Sequence, residues 1–193
     1  MPRARARAKS VDERTRTAYH EAGHAVLSAA VSDVPEHVSI RPDGNTLGRS
    51  GARLSHWPAA RVEVHLAGFA AEHLVTGRRP RQLDKEIGFA IVARRDPELR
   101  ASFVGSGDFD GHRAAEDVLR MHASLTDDEL RAALDRHYDG ARESLAAVWP
   151  AVRSVADALL AREELDRAGV MAAIGDLDVV APVLAVHKAR GVI

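Results

Sequence analysis

The sequence predicts a mainly α domain carrying one small β-hairpin. Only 4% of its 193 residues are aromatic, while Ala, Leu, Val and Arg abound, and this balance favours helix over sheet. Residues that start and stop helices recur along the chain. Short strand-like alternation is confined to one place, around 37–41, and a Pro-Asp-Gly-Asn turn follows it. A composition of 46% apolar and 28% charged residues over this length suits one globular domain with a real core.

The elements follow in order. Ser10-Val11-Asp12-Glu13 has the form of a capping box, with the serine capping a helix and the glutamate reaching back. Ala18, Ala22, Ala25, Val26 and Ala29 then keep helical spacing until Asp33 and Pro35 end it. His37 to Arg41 alternates as a strand, Pro42 to Asn45 turns, and Thr46 to Arg49 returns. Pro58 suits the first turn of a helix that runs through Val62, Leu66, Ala70 and Leu74 to Gly77 and Pro80. Gln82 to Arg95 forms an amphipathic helix, Gly105-Ser106-Gly107 a loop, and Gly111 to Ala123 a further helix. Thr126 to Glu129 is a second capping box and opens a long helix toward Val148. Pro150 kinks or restarts that helix, which continues to Arg162. A short helix spans Arg167 to Ile174. The expected organisation is a flexible basic arm (1–10), one domain (11–175) and an unassigned C-terminal tail (176–193).

Composition also excludes whole classes. A net charge of -1 gives no basic field for nucleic acid. The absence of cysteine removes disulfides, thiolate metal sites and a cysteine nucleophile, and it fits a reducing compartment. No apolar run reaches the roughly 18 residues of a membrane span. The Arg/Ala-rich start lacks the apolar core of a secretory signal, so a cytoplasmic location is the expectation. The arm itself fits a solubilising tail better than an anion-binding one.

His20-Glu21-Ala22-Gly23-His24 is the motif that carries chemistry. On a helix, residues four apart share a face, so both imidazoles can reach one metal ion, and Glu21 is then placed as general base. Two exposed histidines on a soluble helix are the plain alternative, but Ala25 and Val26 beside them mark a buried face. Gly23 costs about 1 kcal/mol relative to alanine in mid-helix, so it implies close approach of another element or clearance beside a metal. A catalytic zinc usually takes three protein ligands. His65 and His73 fit partly buried polar roles, and His56, His122, His137 and His187 share no spacing. The segment Gly107-Asp108-Phe109-Asp110-Gly111 offers carboxylates, though an aspartate at a helix start is ordinarily an N-cap.

These residues resemble the peptidase domain of the FtsH-type ATP-dependent zinc metalloproteases. Thr17 to Val26 (TAYHEAGHAV) is similar to the family's HEAGHA segment, and Val38 to Gly48 (VSIRPDGNTLG) to its strand VTIIPRGxALG. Leu66 to Leu74 (LAGFAAEHL) is similar to LAGRxAEEL, and Ala156 to Ile174 to its closing helices. The matches run in order from residue 17 to about 174. The resemblance implies a zincin-type peptidase domain with the hairpin at the active-site edge. It also implies Zn2+ as cofactor, held by His20, His24 and a third ligand, with Glu21 catalytic. The family's third ligand is an aspartate opening the helix GASNDIERATEIA. Aligned on Arg113 to Glu116 it falls on Asp110, with Asp108 as the alternative, and Gly111 stands where the family has Ile.

No GxxxxGK[ST] phosphate loop occurs in these residues. The expectation is therefore a stand-alone zinc metalloendopeptidase, ATP-independent by itself, acting on unfolded or flexible protein or peptide substrates. A separate ATPase motor is the implied partner, and the family's hexameric rings leave a homo-oligomer open. Val38 to Arg41 could hold an extended substrate by strand addition if its edge is open, or be an ordinary structural hairpin. The alternative function is a non-catalytic zinc-binding regulatory module that keeps the fold.

Overall fold

A computed structural model of the chain describes residues 11–42, 49–50, 57–96, 98–99 and 109–192. The helices are α1 (Glu13–Val31), α2 (Pro58–Thr76), α3 (Arg81–Ala93), α4 (Asp110–Met121), α5 (Asp127–Ala147), α6 (Trp149–Arg162), α7 (Arg167–Ile174) and α8 (Val180–Ala189). Three short strands, β1 (His37–Ser39), β2 (Arg49–Ser50) and β3 (Glu164–Asp166), form an antiparallel sheet in the order β2-β1-β3. The mainly α class and the hairpin expected from the sequence are both present. Ser10, Thr46 and the Gly105–Gly107 loop lie outside the described residues.

The centre of the molecule is the pair α1 and α2. Glu21 to Ser28 is buried without a break on α1, as is Val62 to Ala71 on α2. A helix buried on all sides belongs at the core of a bundle. α1 packs against α2 and α6, while α2 also packs against α4 and α5. Small residues allow the close approach of α1 to α2. A Cβ added at Gly23 would lie 2.6 Å from the Ala67 carbonyl oxygen and 2.8 Å from the Ala71 Cβ. Helix contact is therefore the cause of this mid-helix glycine.

Three local readings change. α1 is capped by Asp12, whose carboxylate accepts from the Thr15 amide at 2.9 Å and the Thr15 hydroxyl at 2.8 Å. A carboxylate there also complements the helix dipole, which favours it over the Ser10 box. Second, β1 is the central strand: Val38 pairs with Ser50 on one side and with Leu165 on the other. Both edges of Val38 and Ser39 are therefore occupied, which leaves no open edge for an extended substrate at these two residues. Third, Val180–Ala189 is helical where the apolar pattern assigned nothing, and it packs on α5 and α1.

Other boundaries fall close to their signals. Thr126 and Glu129 form a reciprocal capping box at α5. Gly77 closes α2 in the left-handed conformation, and α5 meets α6 at 84° beside Pro150. Among the described residues no single helix is long and apolar enough to cross a membrane.

Candidate metal centre

His20 and His24 lie one turn apart on α1, and their rings meet edge-on with centroids 4.9 Å apart. Asp110 opens α4 and brings its Oδ2 to 3.0 Å from the Nε2 of each histidine. The two Nε2 atoms are 3.2 Å apart. Among the described residues these three side chains form the one cluster able to hold a metal ion. Asp108 lies outside the described residues.

The other ring nitrogens decide the chemistry of this triangle. His24 Nδ1 is 2.7 Å from the Val64 carbonyl oxygen, which can only accept, so Nδ1 carries a proton. His20 Nδ1 is 2.7 Å from Glu72 Oε1 and donates in the same way. Arg16 stands 3.6 Å from the other Glu72 oxygen. In the neutral tautomers both Nε2 lone pairs and the Asp110 carboxylate therefore face one another within 3.2 Å. Such an arrangement needs a cation, either protons on the imidazoles or a metal ion. Donor atoms around one tetrahedral zinc with bonds of roughly 2.0–2.1 Å lie about 3.3 Å apart, so this donor set fits that ion.

Electrostatics follow the same logic. Burial opposes charge on His20, but hydrogen bonds to the Asp110 and Glu72 carboxylates, with Glu21 nearby, hold its imidazole well above the ordinary value. Burial likewise opposes charge on His24, and Asp110 raises it. The two imidazoles outweigh burial at Asp110 and hold its carboxyl well below the usual range. Glu21 is buried in α1 beside them.

Supporting residues place each donor. A Cβ added at Gly68 would lie 2.3 Å from His20 Nε2, so only glycine leaves room for that ring. Phe69 closes its other side edge-on, with centroids 5.2 Å apart. α4 is tied down at two points. Near its start, Gly111 N–H donates to Glu86 Oε2 of α3 at 2.9 Å. Two turns later the buried Asp117 accepts from Arg61 Nε of α2 at 2.7 Å and from Arg120 Nη1 at 2.8 Å. Burial pushes the Glu86 carboxyl up to about 7 against its hydrogen bonds from Gly111 and Gln82.

Sequence reasoning did not single out Gly68, Glu72 or Glu86. Gly68 and Glu72 lie in the quoted LAGFAAEHL segment, and an acid within that apolar helix was the available signal. Three other histidines pair elsewhere. His65 lies 3.4 Å from Asp117, His73 pairs with the Tyr138 hydroxyl at 2.8 Å, and His187 is buried 2.8 Å from Glu63. His56 lies outside the described residues.

A comparison with protein-family models finds no match. Individual proteins do match. The ATP-dependent zinc metalloprotease FtsH 4 of Sorangium cellulosum is 32% identical over 86% of this chain. FtsH 1 of Symbiobacterium thermophilum is 32% identical over 98% of it, and the Photobacterium profundum protein 29% over 83%. Over most of its length the chain is similar to the FtsH-type zinc metalloproteases, as a region like their peptidase domain. It spans only 30%, 34% and 27% of the length of these three FtsH proteins. That similarity gives the His20–His24–Asp110 triangle a context in zinc metalloproteases. The Glu86 contact supplies the steric reason for Gly111.

Proposed function

We propose that this chain is a zinc-dependent metalloendopeptidase that hydrolyses peptide bonds in unfolded or flexible proteins. The convergence of His20 Nε2, His24 Nε2 and Asp110 Oδ2, with both Nδ1 protons committed elsewhere, carries this reading. These three residues would hold Zn2+. Bound there, the ion would supply Lewis acidity that polarises a substrate carbonyl and lowers the pKa of water to near 7.

The chain's own residues do the rest. Glu21 takes a proton from the attacking water on a carboxylate oxygen and returns it to the leaving amide nitrogen. Its place next to His20 in α1, buried in the same stretch as His24, supports that role. Glu72 and the Val64 carbonyl fix ring orientation and keep Nε2 free of its proton for coordination. With no phosphate loop in these residues, force to unfold substrates would come from an ATPase outside them, so flexible chains are the favoured substrates of this region. A cytoplasmic location is part of the proposal.

Metal analysis and cleavage of an unstructured protein such as casein, by wild type and Glu21→Gln, test it. The expected result is one zinc per chain in both and cleavage by wild type alone. Stoichiometric zinc without cleavage of casein or a peptide library would support a non-catalytic zinc module instead.

A further inference from the structure

Helix α4 begins without a side-chain cap of its own. Its N-cap residue is Phe109, whose carbonyl takes the His112 and Arg113 amides but whose side chain has no acceptor for an earlier one. The acceptor comes from another helix. Glu86, buried on α3 at 6% exposure, accepts from Gly111 N–H at 2.9 Å, and its second oxygen accepts from Gln82 Nε2 at 3.1 Å. The contact requires glycine. A Cβ added at Gly111 would lie 2.8 Å from Glu86 Cβ and 3.2 Å from Oε2. Asp110 is the residue immediately before this amide.

We propose that Glu86 is a positioning residue that caps α4 through Gly111 and so holds Asp110 on the two histidines. The inference rests on reading His20, His24 and Asp110 as metal ligands. A carboxylate is the suitable group, because it satisfies the Gly111 amide and stands at the positive end of the helix dipole. Asp110 spends its Oδ2 on two imidazoles and is not available to cap its own helix through that atom. Glu86 therefore takes over the role usually played by an aspartate at a helix start. Gly111 is the matching half of the device.

Two measurements on the full chain test this: zinc affinity by chelator competition, with the absorption spectrum of the cobalt-substituted protein, and amide hydrogen exchange of the metal-free protein. Glu86→Ala is expected to weaken zinc binding by about 10–100-fold, the range for residues that orient metal ligands, and to alter the cobalt spectrum. Glu86→Gln keeps an oxygen acceptor and should stay within about threefold of wild type. Gly111→Ala, which forces α3 and α4 apart, should reproduce the alanine effect at Glu86. In the metal-free protein, Glu86→Ala should lose protection at Gly111 while circular dichroism keeps its helical signal. Unchanged zinc affinity, cobalt spectrum and Gly111 protection in Glu86→Ala would overturn the proposal. If wild type bound no zinc but the variant still lost Gly111 protection, the ligand reading would fail and the capping contact would stand.

Discussion

Gly68 shows how tightly the site is defined at the scale of one residue. His20 can reach the triangle only because α2 has no side chain at that position, and a methyl group there would meet the imidazole at 2.3 Å. Gly68→Ala should therefore displace His20 and lower zinc affinity at least as much as losing an orienting residue, about 10–100-fold. The fold should persist, because alanine is a better helix former than glycine. Equilibrium zinc titration alongside circular dichroism checks both halves. Glu72→Ala removes the acceptor that orients His20 Nδ1 and should weaken zinc within the same approximate range, 10–100-fold. Unchanged affinity in Gly68→Ala would mean that His20 is not a ligand.

The element scale is governed by the contact between α1 and α2. Gly23→Ala would press a methyl group against the Ala67 backbone oxygen at 2.6 Å. Overpacking of this kind costs about 1–3 kcal/mol. The better helix propensity of alanine offsets about 1 kcal/mol of that. The net expectation is lower stability, read as a fall in Tm of a few degrees at roughly 2–4 °C per kcal/mol for a chain of this size. Thermal unfolding followed by circular dichroism measures it. Most elements were legible in the sequence because their signals are local, such as the Thr126–Glu129 box, the Gly77 cap and the break at Pro150. The central position of β1 was not legible. Its second partner, Glu164–Asp166, is more than 100 residues away, and no local pattern announces that pairing. The site divides in the same way. His20, Glu21 and His24 are adjacent in sequence and visible as a motif. Glu86 touches the site only through tertiary packing, and its spacing gives no sign of it.

At the scale of the whole molecule, the C-terminal helix is held by a buried charge. Glu63 on α2 is fully buried and lies 2.8 Å from His187 of α8 and 3.7 Å from His137 of α5. Gly140 leaves room for it, since a Cβ there would stand 2.3 Å from Glu63 Oε1. Burial favours the neutral acid, but His137 and His187 outweigh it and hold Glu63 below its ordinary value of 4.5. A carboxyl depressed in the folded state contributes stability above that value and loses it as pH falls through the lower, folded one. Urea unfolding between pH 7 and pH 3 should therefore show stability falling in the acid range. The fall should be smaller in Glu63→Gln. His187→Ala strands a buried carboxylate and should cost about 3–5 kcal/mol at neutral pH. Equal acid sensitivity in wild type and Glu63→Gln would remove this carboxylate from the account.

The central claim is that His20, His24 and Asp110 together bind one zinc ion. Zinc-edge X-ray absorption of the zinc-loaded chain, wild type beside Asp110→Ala, tests it most directly. The expected result is a low-coordinate site with two imidazole nitrogens and at least one oxygen in wild type, and a lost or altered site in Asp110→Ala. A wild-type spectrum lacking the imidazole signature, or one identical in Asp110→Ala, would contradict it.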